Sequence, residues 1–318
     1  MPRSGTKLLR EILGNHEAIS FTTNETEFLP YLIEYSRYHN LNNKSEFEHF
    51  YKYFLLEDYV FFRKIDGHKI IDKDYWYNTC SDFSPYQIFK SLLRNDCTYD
   101  SKTIYLGDKS PSYIKQLPSI TEYLPKLNII HIVRDPRNHI VSMKNTFGRN
   151  PISSAYKWKE IITHFIQFKN KSETSNLYEL KYEDLIKDPT EEITKICQFL
   201  NTTFNNKLLD INRVLERHPN LYNSKKEIIQ EIPQKFKNSL SPYEIEQIES
   251  ICQIGMIHYN YRPISASRSI NVKKNNLYSK TIDKLGFLLN NSKKYGLASA
   301  IRKGHLVWKR KNIVKNKY

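Results

Sequence analysis

The chain has 318 residues, 39% of them hydrophobic, and a formal net charge of +15. That length and apolar content suit one large domain, or one domain with an appendage, and are enough to fill a core. No apolar stretch approaches the roughly 20 residues of a membrane span, so a soluble chain is expected. The four cysteines, Cys80, Cys97, Cys197 and Cys252, lie far apart. They lack the paired spacing of a zinc site, so free core thiols are expected, with a disulfide as the alternative.

The first segment, Pro2-Arg3-Ser4-Gly5-Thr6-Lys7-Leu8-Leu9, is a short turn that runs into a helix. Gly5 takes turn geometry without steric cost, and the first N–H groups of the helix behind it have no partner inside that helix. Leu8, Leu9, Ile12 and Leu13 recur at helical spacing and face a core. The turn keeps the cations of Arg3 and Lys7 and the hydroxyls of Ser4 and Thr6, which are ligands for an anion at a helix start. An ordinary capped loop reads the same from this segment alone.

From Glu25 to about Asn95 the chain is rich in aromatics and charges and reads as mostly helical. Tyr31, Tyr35, Tyr38, Phe47 and Phe50 fit helix faces, packing a core or, as the alternative, stacking on a bound ring. Leu127 to Val133 is short, apolar and β-branched and reads as a buried parallel strand. Arg134-Asp135-Pro136-Arg137 follows it. Asp135 is a good N-cap and Pro136 suits the first helical position. A helix through Ile140, Val141 and Met143 therefore starts at the strand's carboxyl end, where open α/β sheets bind ligands. Arg134 sits at that crevice. Spacing alone leaves open whether Ser142, two turns further on, faces the same anion.

Ala155 to Phe168 reads as another helix, and Asn176 to Leu180 as a strand ahead of Tyr182. Further helices begin near Pro189, carrying Ile193, Ile196, Cys197 and Leu200, and at Ser241-Pro242, carrying Ile245, Ile248 and Ile251. The alternation of strands and helices argues for an α/β fold. Beyond Pro263 the composition shifts. Residues 265–318 hold 14 Lys or Arg against the single acid Asp283, so +13 of the +15 lies there. The charge is therefore no evidence that the whole chain binds nucleic acid.

Three segments stand in the order of the motifs of PAPS-dependent sulfotransferases: Pro2-Arg3-Ser4-Gly5-Thr6, then Val133-Arg134-Asp135-Pro136-Arg137 with Ser142, then Leu180-Lys181-Tyr182-Glu183-Asp184-Leu185. From residue 1 to roughly 262 the chain resembles that family. The resemblance implies a P-loop NTPase-like three-layer α/β/α fold with a central parallel sheet. In that family an apolar strand precedes the first motif, whereas only Met1 precedes Pro2 here, so the expectation is a sheet whose first strand is missing from this chain. The expected organisation is a sulfotransferase domain over 1–264 and a basic tail over 265–318.

The resemblance also implies roles. Arg3, Ser4, Gly5, Thr6, Lys7 and Leu8 would hold the 5′-phosphosulfate of PAPS, 3′-phosphoadenosine 5′-phosphosulfate. Arg134 and Ser142 would hold its 3′-phosphate, with Tyr182 near the nucleotide and Lys235 or Lys237 in a basic loop over the 3′ end. The family commonly has a second Thr where this chain has Lys7. Within the family, the chain is most similar to the branch of tyrosylprotein sulfotransferases and many bacterial sulfotransferases. By that likeness Glu25, of Glu25-Thr26, is the base that takes the acceptor's proton, and Glu27 is the weaker candidate. Lys109, of Gly107-Asp108-Lys109-Ser110-Pro111, and Arg3 stabilise charge on the leaving phosphate.

The expected reaction is transfer of a sulfuryl group from PAPS to an acceptor hydroxyl, releasing PAP and using no metal. Carbohydrate or small-molecule acceptors are favoured and protein tyrosine stays open, with residues 25–95 as the acceptor-facing region. The alternatives are an Mg²⁺-dependent P-loop kinase, whose Gly-Lys-Ser/Thr signature does not fit Gly5-Thr6-Lys7-Leu8, and a basic protein that binds nucleic acid. Leu285, Phe287, Leu288 and Leu289, then Ile301, Leu306, Val307 and Trp308, alternate with cations and suit an anionic lipid surface. A basic tail without a role is the alternative there.

Overall fold

The structure, a computed structural model, describes residues 1–171, 176–210 and 234–265. Residues 230–233 of the basic loop and 266–318 of the tail lie outside the described residues. The described chain forms two compact units. The first takes Met1–Thr6, Ile129–Ile196 and residues 234–265; the second takes Lys7–Asn128 and residues 197–210.

Two parallel strands anchor the first unit. β3 (Ile129–Val133) pairs with β4 (Leu177–Lys181), Ile129 opposite Leu177 and Val133 opposite Lys181. α8 (Pro136–Phe147) starts two residues after β3 because Asp135 accepts the Arg137 N–H and Pro136 fits the first turn. α9 (Pro151–Lys171) buries Trp158, Ile162 and Phe165. After β4 come α10 (Tyr182–Lys187), α11 (Pro189–Phe199), the single turn α12 (Phe236–Ser239) and α13 (Pro242–His258). The start of α13 is fixed by a reciprocal capping box between Ser241 and Glu244. Helices α8, α9 and α13 share one core of Val133, Ile140, Trp158, Ile248 and Cys252, into which Met1 also packs. A Cβ on Gly255 of α13 would stand 2.5 Å from the Trp158 ring, so a glycine is what lets these helices meet. Arg137 is buried between Asp135 and Glu249, and Glu249 also accepts the N–H groups of Ile264 and Ser265. That cluster of charges ties the end of the described chain to α8.

The second unit is mostly helical. α1 (Thr6–Leu13) buries Leu8, Leu9, Ile12 and Leu13, the predicted face. β1 (Ile19–Phe21) runs parallel to β2 (Tyr105–Gly107), with Phe21 opposite Gly107. Between these strands lie α2 (Leu29–Ser36), α3 (Lys44–Phe54), α4 (Asp58–Ile65), α5 (Lys73–Thr79) and α6 (Pro85–Asp96); α7 (Leu117–Tyr123) follows a short 3₁₀ segment. Their core is aromatic: Trp76 is fully buried, packs 4.8 Å from Phe54, and donates its N–H to the Ile88 carbonyl at 3.1 Å. Tyr31, Tyr35, Phe47 and Phe50 belong to this core, whereas Tyr38 is exposed. The core reading therefore holds for four of those aromatic rings, and only Tyr38 is left as a stacking surface.

Together these elements make an α/β fold with small parallel sheets. No helix among the described residues is long and apolar enough to cross a membrane. The thiols of Cys97, Cys197 and Cys252 are free and buried, and that of Cys80 is free and half-buried.

Candidate active site

In the first unit the opening turn is built around two unusual backbone positions, Arg3 at φ +61° and Gly5 at φ +93°. A Cβ on Gly5 would lie 2.4 Å from the Tyr182 ring, so only glycine fits between the turn and that ring. The Arg134 guanidinium lies over the same ring, 4.4 Å from its centroid, making a cation–π pair. Arg134 also donates to the Arg3 carbonyl at 3.2 Å, and its own carbonyl accepts the Trp158 indole N–H at 3.2 Å. The question that spacing left open for Ser142 is answered by Arg3, whose Nε donates to the Ser142 hydroxyl at 3.0 Å. Arg3, Arg134, Ser142 and Tyr182 are thus joined in one cluster.

The electrostatics of this cluster call for an anion. Burial and then the neighbouring Arg134 lower the pKa of Arg3, with Tyr182 opposing, which means the guanidinium charge is held at a cost. Among the described residues no carboxylate pairs with Arg3 or Arg134. The Ser4 hydroxyl is fully buried and, like Arg134 Nε, has no hydrogen-bond partner. Asn138 and His139, on the same stretch of α8, likewise bury Oδ1 and Nδ1 without partners, and His139 is held neutral, its pKa pushed down to about 3 first by burial and then by Arg134. Buried polar atoms normally find partners, and two of these, the Ser4 hydroxyl and Arg134 Nε, are donors that fit a phosphate-bearing ligand. Lys235, at the start of α12, is exposed beside the buried Phe236.

In the second unit, pairing of β1 with β2 sets the loops after the two strands side by side. Thr22 extends the ladder by donating its N–H to the Gly107 carbonyl at 3.0 Å. Glu25 from one loop and Lys109 from the other form an ion pair. The Lys109 side chain is largely buried, and its pKa is pushed down to about 7 by burial first and then by Arg10 and Lys7, with Glu11 opposing. Lys7 itself is exposed, and Leu8 is buried, which leaves only its backbone N–H for a ligand. Glu27 sits at φ +51° with its N–H on the Ser110 hydroxyl at 3.0 Å. Among the described residues no cluster of three or more His, Cys, Asp or Glu side chains could hold a metal ion.

Residues 1–206 match the model of the Sulfotransferase family. The chain belongs to that family. It is a sulfuryl-transferring enzyme, and this decides against the kinase reading. Among the solved structures similar to this sulfotransferase are two sulfotransferase domains. The sulfotransferase domain from the curacin biosynthetic pathway is 22% identical, with a TM-score of 0.51, over 82% of this chain and 95% of that one. At that identity the likeness speaks for the fold. The sulfotransferase domain from the Synechococcus PCC 7002 olefin synthase is 18% identical, with a TM-score of 0.45, over 89% of this chain and 90% of that one. No curated protein matches.

Sequence reasoning named Arg3, Ser4, Arg134, Ser142, Tyr182, Glu25 and Lys109 but not Asn138 or His139, nor the residues that hold Glu25 and Lys109 in place. Asp108 and Tyr113 bond to Thr26, Ser110 bonds to Asp108, and no spacing rule links residues 26 and 108. The one available signal was an acidic residue directly before Lys109 at a strand end.

Proposed function

We propose that this sulfotransferase uses PAPS as donor and transfers its sulfuryl group to the hydroxyl of a carbohydrate or small-molecule acceptor, with protein tyrosine as a further class to be assayed. The observation that carries the donor assignment is the anion cradle of the first unit: two guanidiniums without carboxylates, and a buried serine hydroxyl without a partner. Arg3, Ser4, Gly5 and Thr6 would hold the phosphosulfate, Arg134 and Ser142 the 3′-phosphate, and the Tyr182 ring would lie beside the nucleotide. Bound PAPS supplies an electrophilic sulfur and a leaving phosphate.

Glu25 takes the proton from the acceptor hydroxyl as its oxygen attacks sulfur. The new S–O bond forms as the bond from sulfur to the bridging oxygen breaks, and the electron pair of that bond leaves on PAP. Lys109 and Arg3 stabilise the charge that develops on the bridging oxygen. Sulfuryl carries less charge than phosphoryl, so these cations suffice and Mg²⁺ is not required. The Glu25–Lys109 pair supports this division of roles by holding a base and a cation within reach of one another.

The test is transfer of label from radiolabelled PAPS to a panel of sugars, alcohols, phenols and tyrosine peptides. Glu25→Gln is expected to lower kcat by about 10²–10⁴-fold, the usual contribution of a positioned general base. Lys109→Ala is expected to cost about 10²–10³-fold, as for other single electrostatic donors. Undiminished transfer by both variants would overturn the assignment.

A further inference from the structure

Asp108 is partly buried and lies directly before Lys109. Its Oδ1 accepts the Thr26 N–H at 3.2 Å and its Oδ2 accepts the Thr26 hydroxyl at 2.5 Å. The Ser110 hydroxyl donates to the same carboxylate at 2.9 Å. Since Thr26 gives its proton to Asp108, the Tyr113 hydroxyl at 2.7 Å must donate to Thr26, and it accepts the Leu29 N–H at 3.2 Å. Ser110 in turn accepts the Glu27 N–H. Every hydroxyl in this set both donates and accepts, so proton directions are fixed throughout and the carboxylate is the one sink into which they run.

The effect reaches two functional positions at once. Glu25 directly precedes Thr26, which is bound to Asp108 by both backbone and side chain. Lys109 stands between Asp108 and Ser110, which are bound to each other. We propose that Asp108 is a positioning residue that holds Glu25 and Lys109 in their catalytic arrangement, through Thr26 on one loop and Ser110 on the other. This rests on the assignment of Glu25 as base and Lys109 as electrostatic donor. Burial holds the pKa of Asp108 above the ordinary carboxylate value, and the hydrogen bonds from Thr26 and Ser110 oppose that shift, so the network works to keep the charge. An Asn in its place turns a donor toward hydroxyls whose protons already point inward, and the set cannot be satisfied.

The experiment compares the full chain with Asp108→Asn, Thr26→Val and Glu25→Gln in four measurements. These are the thermal melt, calorimetric PAP binding, turnover of PAPS with p-nitrophenol as probe acceptor, and the pH dependence of Lys109 acylation read by peptide mass spectrometry. Asp108→Asn is expected to lower kcat about 100-fold, the scale of loss when reacting groups shift by about 1 Å, and to leave PAP affinity unchanged. Lys109 in that variant should react half-maximally at a higher pH than in the wild type, because a released lysine returns to solvent and loses the burial that pushes its pKa down. Thr26→Val should move both readouts in the same direction and by less, and it decides the matter if Asp108→Asn does not fold. Unchanged kcat and an unchanged Lys109 profile in either folded variant would overturn the inference, and the acylation profile decides alone if p-nitrophenol is not sulfated. Full turnover by Glu25→Gln would instead sink the base assignment beneath it, a separate result.

Discussion

At Lys109 a single side chain carries a pH signature. Its pKa of about 7 lies below that of an ordinary lysine because burial, Arg10 and Lys7 all disfavour the cation. The sign follows directly: the cation is present below about pH 7 and is lost as pH rises through that value. The role assigned to Lys109 needs the cation, and kcat/KM reports the free enzyme. kcat/KM for PAPS should therefore fall on the alkaline side of neutrality, whereas Lys109→Arg should keep its charge and lack that fall. A wild-type profile flat across neutrality would contradict the assignment. Gly5 makes a second prediction at this scale. An added methyl would meet the Tyr182 ring at 2.4 Å in a left-handed backbone conformation. Gly5→Ala should cost about 1–3 kcal/mol of stability or local order and abolish PAP binding in calorimetry; wild-type affinity would show that the turn does not need its shape.

Elements position these residues through their ends. β3 and α8 meet at Arg134-Asp135-Pro136, so an N-cap and a proline aim Arg134, and this was legible in sequence because capping is local chemistry. The same holds for Ser241, Pro242 and Glu244 at α13. Ser241→Ala should cost about 1 kcal/mol, as cap losses do, lowering the melting temperature without changing PAP affinity; a change in affinity would mean that α13 feeds into the nucleotide site. The face of α1 was legible too, since Leu8, Leu9, Ile12 and Leu13 repeat at helical spacing. What sequence could not supply is what joins distant segments. The bond from Arg3 to Ser142 spans 139 positions, and the one from Thr26 to Asp108 spans 82. Each depends on which strands pair, and β1 and β2, three residues apiece, carry too little pattern to announce their pairing.

For the molecule as a whole, charge is segregated. With +13 of the net charge placed in residues 265–318, the rest of the chain is nearly neutral. The apolar residues among those cations lead to an expectation for the full chain. It should sediment with phosphatidylserine vesicles at low salt and release as salt approaches about 1 M, where the Debye length falls to about 3 Å. Equal binding to neutral phosphatidylcholine vesicles would contradict it. The donor assignment is independent of that tail, resting on Arg3, Arg134 and Ser142 in one unit, and it can be tested without knowing the acceptor. The most direct measurement is calorimetric titration of PAP into the full chain and into Arg134→Ala, each with and without Mg²⁺. Binding by the wild type that is indifferent to Mg²⁺ and lost in a folded Arg134→Ala is the predicted result. A folded wild-type chain that fails to bind PAP, or binds it only with Mg²⁺, would contradict the account.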